Sequence, residues 1–513
     1  MTVSFQNRDI ISITDFSRTE IIHLCEAGKR MYELEKSCRR NSLRDALKYR
    51  SLSYMFYEPS TRTRTSFNTA MRELGGRYDG FSGTEGTSVV KNETLRDTVS
   101  MMCANHFDVI VMRHPMDGSL QWAADVANIP VINGGDGKNE HPTQALLDVL
   151  TLYILNDGKL DGLSIGFGGD LSHGRTVRSL SLALSHFQDV TIRWAAEDFL
   201  GIPEDLAQLL EAKGVRVIRE ESVRDVMTQV NFYYMTRPQL ERMQGVSQKE
   251  IVAMMQKYRI DLKKIQGFEA RVLHPLPVNS EVAEIDYHVY FTPAQAFFAQ
   301  AEFGIFLRKA LLHEMLRGEG YLRYDSRLPM ELENGNNRLP RLVRGEKRAS
   351  MFIDKIWNGT VLDHLKEGSL RAVDSVLGLE LRGYSCTTAN IAEKKNPFIK
   401  TNLSELSERD LKQVALISPE PTVNYIQNGC VTDKFVYLLC QNTNCITRTL
   451  MEDVPPKFYA EEGLIRCRYC RRPYVLRNRK IGEEEKRAYL HSLPSEIAQV
   501  KYPSECREIG SGR

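Results

Sequence analysis

From residue 1 to about 318, short apolar β-rich runs alternate with stretches of helical period, and this alternation restricts the possible folds more than any other feature. SLSYMFY (51–57), VIVMRH (109–114), LSIGFGGD (163–170), VTIRWAA (190–196) and VNFYYMT (230–236) read as buried strands. Between them, TRTSFNTAMRELGG places Phe67, Ala70, Met71 and Leu74 on one helical face, and Gly75-Gly76 supplies the stop. Buried strands alternating with helices imply parallel sheets covered on both faces. The length accommodates two such units, with HPTQALLDVLTLYIL (141–155) as the crossing helix. Residues 319–348 change character, with two prolines, an NGNN turn and many arginines, and read as a linker. A smaller region of mixed strand and helix follows, then a cysteine-rich end; no internal repeat interrupts the chain.

Composition narrows the function classes. At 513 residues the chain has room for three or four domains of roughly 150 residues. With 42% hydrophobic and 26% charged residues it can bury several cores, which excludes a disordered or fibrous chain. Lys plus Arg exceed Asp plus Glu by only 68 to 66, too even for a general nucleic-acid or membrane binder. No apolar run reaches the roughly 18 residues of a membrane span, and MTVSFQNRDI lacks a signal-peptide pattern, so a soluble, cytoplasmic protein is expected. EEEK (483–486) reads as a solvated helix face.

In FYEPSTRTRTSF (56–67) a buried strand ends at a proline and a Ser-Thr-Arg-Thr-Arg run opens an amphipathic helix. Free N–H groups at the helix start, the hydroxyls of Ser60, Thr61 and Thr63, and the Arg62 guanidinium suit a phosphate-like dianion. The alternative from this segment alone is an ordinary capped helix with surface arginines. Further polar groups stand where strands end: Arg113-His114, His141 and Gln144 of HPTQ, Arg175 of SHGRTVRS, and Arg237 after VNFYYMT. Ligands of open α/β sheets sit beyond the carboxyl ends of the strands, so these residues can share a cleft for one highly anionic substrate or two anionic ones. No phosphate-binding P-loop is present, and Gly166–Leu171 misses the third glycine of the dinucleotide pattern, which argues against ATP hydrolysis and NAD chemistry.

Ten cysteines are spread unevenly: Cys25, Cys38, Cys103 and Cys386 are scattered, whereas Cys430, Cys440, Cys445, Cys467, Cys470 and Cys506 crowd the end. Cys440-x4-Cys445, 21 residues, then Cys467-x2-Cys470 gives two thiolate pairs that favour tetrahedral Zn²⁺ in a closed structural site, one ion per chain. Cys430 and Cys506 fall outside the pairs and read as plain thiols. Arg466, Arg468, Arg471, Arg472, Arg477, Arg479 and Lys480 cluster here, so nucleic-acid binding stands as an alternative. Aromatic interleaving is thin, with Tyr469 and Tyr474 only, and docking on protein explains the basic surface equally well.

STRTR (60–64), MRHP (112–115), HPTQ (141–144), GRT (174–176), MTR (235–237) and HPLP (274–277) occur in the order found in carbamoyltransferases, and residues of about 5 to 318 resemble the catalytic chain of aspartate carbamoyltransferase. The resemblance implies carbamoyl phosphate held by Ser60, Thr61, Arg62 and Thr63, with Arg113, His141 and Gln144 around its carbonyl. It implies aspartate gripped by Arg175, Arg237 and Gln239, the backbone of Leu276 and Pro277 lining the site, and Ser88 and Lys91 of GTSVVKNETL entering from a neighbouring subunit. Read alone, Lys91 is an exposed loop lysine. Pro275, where ornithine enzymes carry cysteine, favours aspartate; Val278 departs from the arginine usual after HPLP. NGTVLDH (358–364), SPEPTVNYIQN (418–428), CQNTNCI (440–446) and CRYC (467–470) resemble the regulatory chain of the same family, ordinarily a separate polypeptide. That places Asp363, Lys400, Asn424 and Lys434 at a nucleoside triphosphate such as CTP or ATP. Asn396 replaces a second lysine of the regulatory chain, leaving open a retained domain without a nucleotide response.

The expectation is therefore an α/β chain with two doubly wound parallel-sheet subdomains of the carbamoyltransferase fold. The bounds are 1–145 and 146–318 with a C-terminal helix returning to the first, linker 319–348, an α+β regulatory domain 349–434 and a β-rich zinc domain 435–513. The expected activity makes N-carbamoyl-L-aspartate for pyrimidine synthesis, in a homo-oligomer that is a trimer or a multiple of trimers. The reading from another class is a nucleic-acid-binding regulator on an inactive transferase scaffold, against which intact STRTR and HPTQ stand.

Overall fold

The computed structural model describes residues 3–37, 43–239, 253, 256–317, 338–340, 358–379, 381–382, 386–389, 398–428, 430–461, 463–477 and 483–493. Cys38, Cys506, Asn396, Arg479, Lys480 and most of the expected linker lie outside them. The chain divides into two compact units near residue 326.

In the first unit the elements run α1 (Arg18–Lys36), β1 (Ser51–Phe56), α2 (Thr61–Glu73), β2 (Arg77–Ser82), α3 (Leu95–Ala104), β3 (Val109–His114), α4 (Ser119–Val126) and β4 (Val131–Asp136). Then come α5 (Pro142–Leu155), β5 (Ser164–Gly168), α6 (Arg175–Leu184), β6 (Thr191–Ala195), α7 (Glu204–Ala212) and β7 (Arg216–Arg219). The unit ends with α8 (Val223–Met227), β8 (Phe232–Met235), α9 (Leu262–Ile265), β9 (Arg271–Leu273) and α10 (Phe297–Leu316). All five strands expected from sequence are present, shortened by one or two residues at some ends.

Two all-parallel sheets result, ordered β2-β1-β3-β4 and β7-β6-β5-β8-β9. Each reverses direction once, between β1 and β3 and between β5 and β8. At such a point neighbouring loops leave in opposite directions and open a crevice beyond the strand ends. The segment after β1 leads to Ser60, and Arg113 stands at the end of β3. The segments after β5 and β8 carry Asp170–Gly174 and Thr236–Gln239. Helix α10 packs against α1, α2 and α5 and so returns to the first sheet's helices.

The second unit contains β10 (Arg338–Pro340), β11 (Gly359–Asp363), α11 (Leu370–Leu377), β12 (Cys386–Ala389), β13 (Phe398–Thr401), α12 (Glu408–Ile417), β14 (Thr422–Gln427) and β15 (Cys430–Tyr437). Its six strands form an antiparallel sheet in the order β10-β15-β14-β11-β13-β12. Part of the segment read as linker is thus an edge strand, where a proline costs no ladder bond on its outer side. Leu362, Ile399, Val423 and Phe435 turn to a core shared with Val373 and Leu377 of α11 and Leu411 and Val414 of α12. A three-stranded sheet of β16 (Phe458–Glu461), β17 (Leu464–Cys467) and β18 (Pro473–Tyr474), then α13 (Glu483–Ser492), completes the chain's described elements.

Candidate active site, effector face and metal centre

Ser60 is the N-cap residue of α2 with extended backbone, yet its side chain makes no capping bond. Its Oγ instead accepts from Arg113 Nη1 at 3.2 Å. The first-turn N–H groups of α2 are therefore left for an anion, beside the exposed Thr61 and Arg62. Thr63 is buried, with Oγ1 3.3 Å from His141 Nε2. His141 caps α5 from the adjoining segment, and its N–H donates to Ser179 Oγ at 2.9 Å. Burial first, then the charges of Arg113 and Arg308, hold the imidazole well below its ordinary pKa, so at neutral pH it is uncharged. One turn along α5, Gln144 Nε2 donates to Asp148 Oδ1 at 2.9 Å.

Glu58 was not singled out from sequence. Its Oε2 is 3.3 Å from Arg113 Nε and 3.7 Å from Arg175 Nη1, so one carboxylate sits between cations from the two sheets. Arg175, at the first position of α6, also donates to the Gly137 carbonyl at 2.8 Å. The available signal was an acid two residues ahead of the Ser-Thr-Arg-Thr-Arg helix start, where it needs cations to be tolerated.

Beyond β8, Gln239 N donates to the buried Asp170 at 3.0 Å and Gln239 Nε2 to the His173 carbonyl at 2.7 Å. The amide nitrogen thus braces the β5–α6 loop, leaving Oε1 as its outward group. Arg237 is half-buried beside it. Leu276 has a left-handed φ of 56° and precedes a cis Pro277. Its N–H donates to His274 Nδ1 at 2.8 Å, and His274 Nε2 is 3.2 Å from Glu284 Oε1, both fully buried. Val278 packs against the main apolar core. Ser88 and Lys91 are exposed on a short 3-10 turn and bond to none of the other site residues described.

In the second unit, Lys400, Val361, Asn424 and Lys434 are direct neighbours across β13, β11, β14 and β15. Asp363 lies two residues beyond Val361, so all four expected effector residues share a sheet face, opposite the one packed on α11 and α12. Asn424 Nδ2 donates to the Val361 carbonyl at 3.2 Å.

Cys440, Cys445, Cys467 and Cys470 are all buried, with their sulfurs within 4.8 Å of one another. Sγ–Sγ distances are 3.5 Å for Cys440–Cys470 and 3.9 Å for Cys445–Cys467. A tetrahedral ion with bonds of about 2.3 Å sets its sulfurs about 3.8 Å apart, so the four thiolates fit such an ion. Thr447 Oγ1 donates to Cys445 Sγ at 3.3 Å, and Arg448 Nη1 to the Cys440 carbonyl at 2.8 Å.

Four family models match the chain. Those of the aspartate/ornithine carbamoyltransferase carbamoyl-P binding domain and Asp/Orn binding domain match residues 8–154 and 161–315. Those of the aspartate carbamoyltransferase regulatory chain, allosteric domain and metal binding domain, match residues 351–437 and 434–478. The aspartate carbamoyltransferase catalytic subunit of Methanocaldococcus jannaschii is 38% identical over 309 residues, 60% of this chain and 98% of that one. That of Pyrobaculum neutrophilum is 41% identical over 313 residues, 61% of this chain and 99% of that one. Among solved structures, the M. jannaschii catalytic subunit matches with a TM-score of 0.56 and 36% identity over 60% of this chain and 98% of that one. Aspartate transcarbamoylase from Trypanosoma cruzi in complex with carbamoyl aspartate and phosphate matches with a TM-score of 0.54 and 33% identity, covering 61% of this chain and 97% of that one.

Proposed function

Because the chain belongs to the aspartate carbamoyltransferase family, we propose that its two sheet-reversal points form one bisubstrate cleft, carbamoyl phosphate lying at the first and aspartate at the second. The protein is an aspartate carbamoyltransferase that carries the family's regulatory and metal-binding domains in the same polypeptide, and it makes N-carbamoyl-L-aspartate and phosphate for pyrimidine biosynthesis. The observation that carries the cleft assignment is the uncapped α2 start, with Arg113 on Ser60 and His141 on Thr63.

In this reading Ser60, Thr61, Arg62 and the α2 N–H groups bind the phosphoryl oxygens. Thr63, Arg113 and His141 surround the carbonyl oxygen, and Gln144 takes the carbamoyl amide. Arg175, Arg237 and Gln239 hold the carboxylates of aspartate, and the backbone of Leu276 and Pro277 lines the site. The neutral amine attacks the carbonyl carbon, the bond to the phosphate oxygen breaks, and the amine proton passes to the departing phosphate. Charge grows on the carbonyl oxygen, which the prepositioned donors stabilise. His141, kept neutral by burial and by arginines, acts there as a donor rather than a base. Most of the acceleration comes from holding two anions together.

Ser88 and Lys91 complete the site from a neighbouring subunit, which makes the assembly a trimer or a multiple of trimers. The domains are 1–145, 146–318, a regulatory domain of 349–434 whose sheet also takes in Arg338–Pro340 and the end of β15, and 435–513. The metal is Zn²⁺, held by Cys440, Cys445, Cys467 and Cys470; with every ligand position taken by thiolate, it serves structure. CTP or ATP binds the face of Asp363, Lys400, Asn424 and Lys434.

An aspartate saturation curve with carbamoyl phosphate, run with and without CTP and ATP, tests this. Turnover shifted by nucleotide is expected. Turnover indifferent to nucleotide removes the effector assignment, and no turnover removes the whole reading. Metal analysis is expected to give about one zinc per chain, lost in Cys467→Ser; metal-free native protein rejects that site.

A further inference from the structure

Asp148 is wholly buried, yet it touches no expected substrate position. Its Oδ1 accepts from Gln144 Nε2 at 2.9 Å and from Gln300 Nε2 at 2.6 Å, and its Oδ2 accepts from Tyr234 OH at 2.8 Å. Gln300 Oε1 in turn accepts from the His274 N–H at 2.9 Å, and His274 holds the Leu276 N–H. Tyr234, also fully buried, lies in β8 three residues before Arg237. One carboxylate thus joins α5, α10, β8 and the end of β9.

We propose that Asp148 is a positioning residue that fixes the orientation of the Gln144 amide toward the carbamoyl group and locks it to the loop carrying Leu276 and the strand leading to Arg237. This rests on the assignment of Gln144 to the carbamoyl amide.

The argument is one of donors and acceptors. An ionised carboxylate only accepts, so the NH2 of Gln144 must face Asp148 and its Oε1 becomes the outward atom. An outward carbonyl oxygen accepts from a substrate NH2, and an outward NH2 would repel it. Burial pushes the Asp148 carboxyl up to about 7, while Gln300, Tyr234, Gln144 and the charge of the buried Arg308 favour ionisation. Two amide NH2 groups converge on Oδ1, so that oxygen is an acceptor in either protonation state, and the Tyr234 hydroxyl meets Oδ2. The Asp148→Leu change removes both acceptor oxygens at similar volume, and nothing then holds the Gln144 NH2 inward.

The test is a double-mutant cycle of Asp148→Leu and Gln144→Ala at about pH 8.5, where the carboxylate is ionised. The readouts are KM for carbamoyl phosphate and the inhibition constant of inorganic phosphate, which lacks the carbamoyl group. Each single variant is expected to raise KM for carbamoyl phosphate about tenfold, with the phosphate constant changed less than about twofold and the double variant no worse than either single. Additive losses, or phosphate weakened in step with carbamoyl phosphate, overturn the inference, because a general packing defect would act that way. A silent Asp148→Leu beside an impaired Gln144→Ala overturns the inference alone. A silent Gln144→Ala overturns the Gln144 assignment and the inference with it. If Asp148→Leu does not accumulate folded, Asp148→Ser replaces it in the same cycle and is judged by the same outcomes, since its short hydroxyl keeps a polar group in the site but no longer reaches the Gln144 amide.

Discussion

His114 and His141 show how burial near a basic cleft decides charge. His114 closes β3, its Nδ1 accepts the Met116 N–H at 3.1 Å, and burial lowers its pKa to about 4 despite the opposing pull of Glu58. The unfolded chain has an ordinary histidine near 6.5, so between about 6.5 and 4 the unfolded state binds the proton that the folded state refuses. The contribution is therefore complete above 6.5 and is lost as pH falls through that window. Asp136, raised to about 7 by burial, slopes the other way, losing stability as pH rises toward 7. His114→Asn keeps an acceptor for Met116 and removes the titration. The melting temperature of the wild type is expected to fall several degrees more between about pH 7 and 5 than that of the variant; equal losses would contradict the assignment. The residues expected at the cleft stood out in the sequence because their types suit anions. Glu58, Asp148, His274 and Glu284 did not, because their roles depend on networks whose contacts reach as far as 152 positions along the sequence.

At the scale of elements, both halves of the cleft depend on strand ends approaching closely. Gly169 follows β5 with φ of 94°, and a Cβ there would lie 2.1 Å from the Thr236 carbonyl oxygen. Thr236 Oγ1 meanwhile donates to the Gly168 carbonyl at 3.0 Å. Gly169→Ala must therefore push the end of β8, and Arg237 with it, away from β5. A stability loss on the order of 2 kcal/mol and a KM for aspartate raised more than that for carbamoyl phosphate are expected, measured by urea unfolding and initial rates. Equal effects on both substrates would show that the displacement is not local. Strands with continuous apolar runs were read correctly from sequence. The unread ones lack that signal: β2 is largely exposed, β4 carries Gly134-Gly135, and β7 and β9 have four and three residues. Such strands are set by the neighbours they pair with rather than by their own pattern.

For the whole molecule, an exposed Lys91 that bonds to no other site residue among the described ones fits the proposed role in a neighbour's cleft. Arg62→Ala and Lys91→Ala, each nearly inactive alone, are expected to recover partial activity when their subunits are mixed, since some sites then receive both side chains. Absence of recovery after verified mixing would reject the shared site. Having catalytic and regulatory domains in one polypeptide fixes their ratio at one to one. The strand pairing of Arg338–Pro340 to β15 makes part of the connecting segment a strand of the regulatory sheet.

The sequence by itself determined the class of the fold, the ordered motifs, the Ser-Thr-Arg-Thr-Arg helix start and the two cysteine pairs that come together. Each is a local signal: a hydrophobic period, a residue type at a strand end, or a spacing between thiols. Only the tertiary structure decided which charges face each other. Glu58 between Arg113 and Arg175, the donors gathered on Asp148, and the row of Lys400, Asn424 and Lys434 all arise from packing and strand register. The physical reason is that burial and Coulomb energy depend on distance through space, which a linear pattern of residue types does not contain.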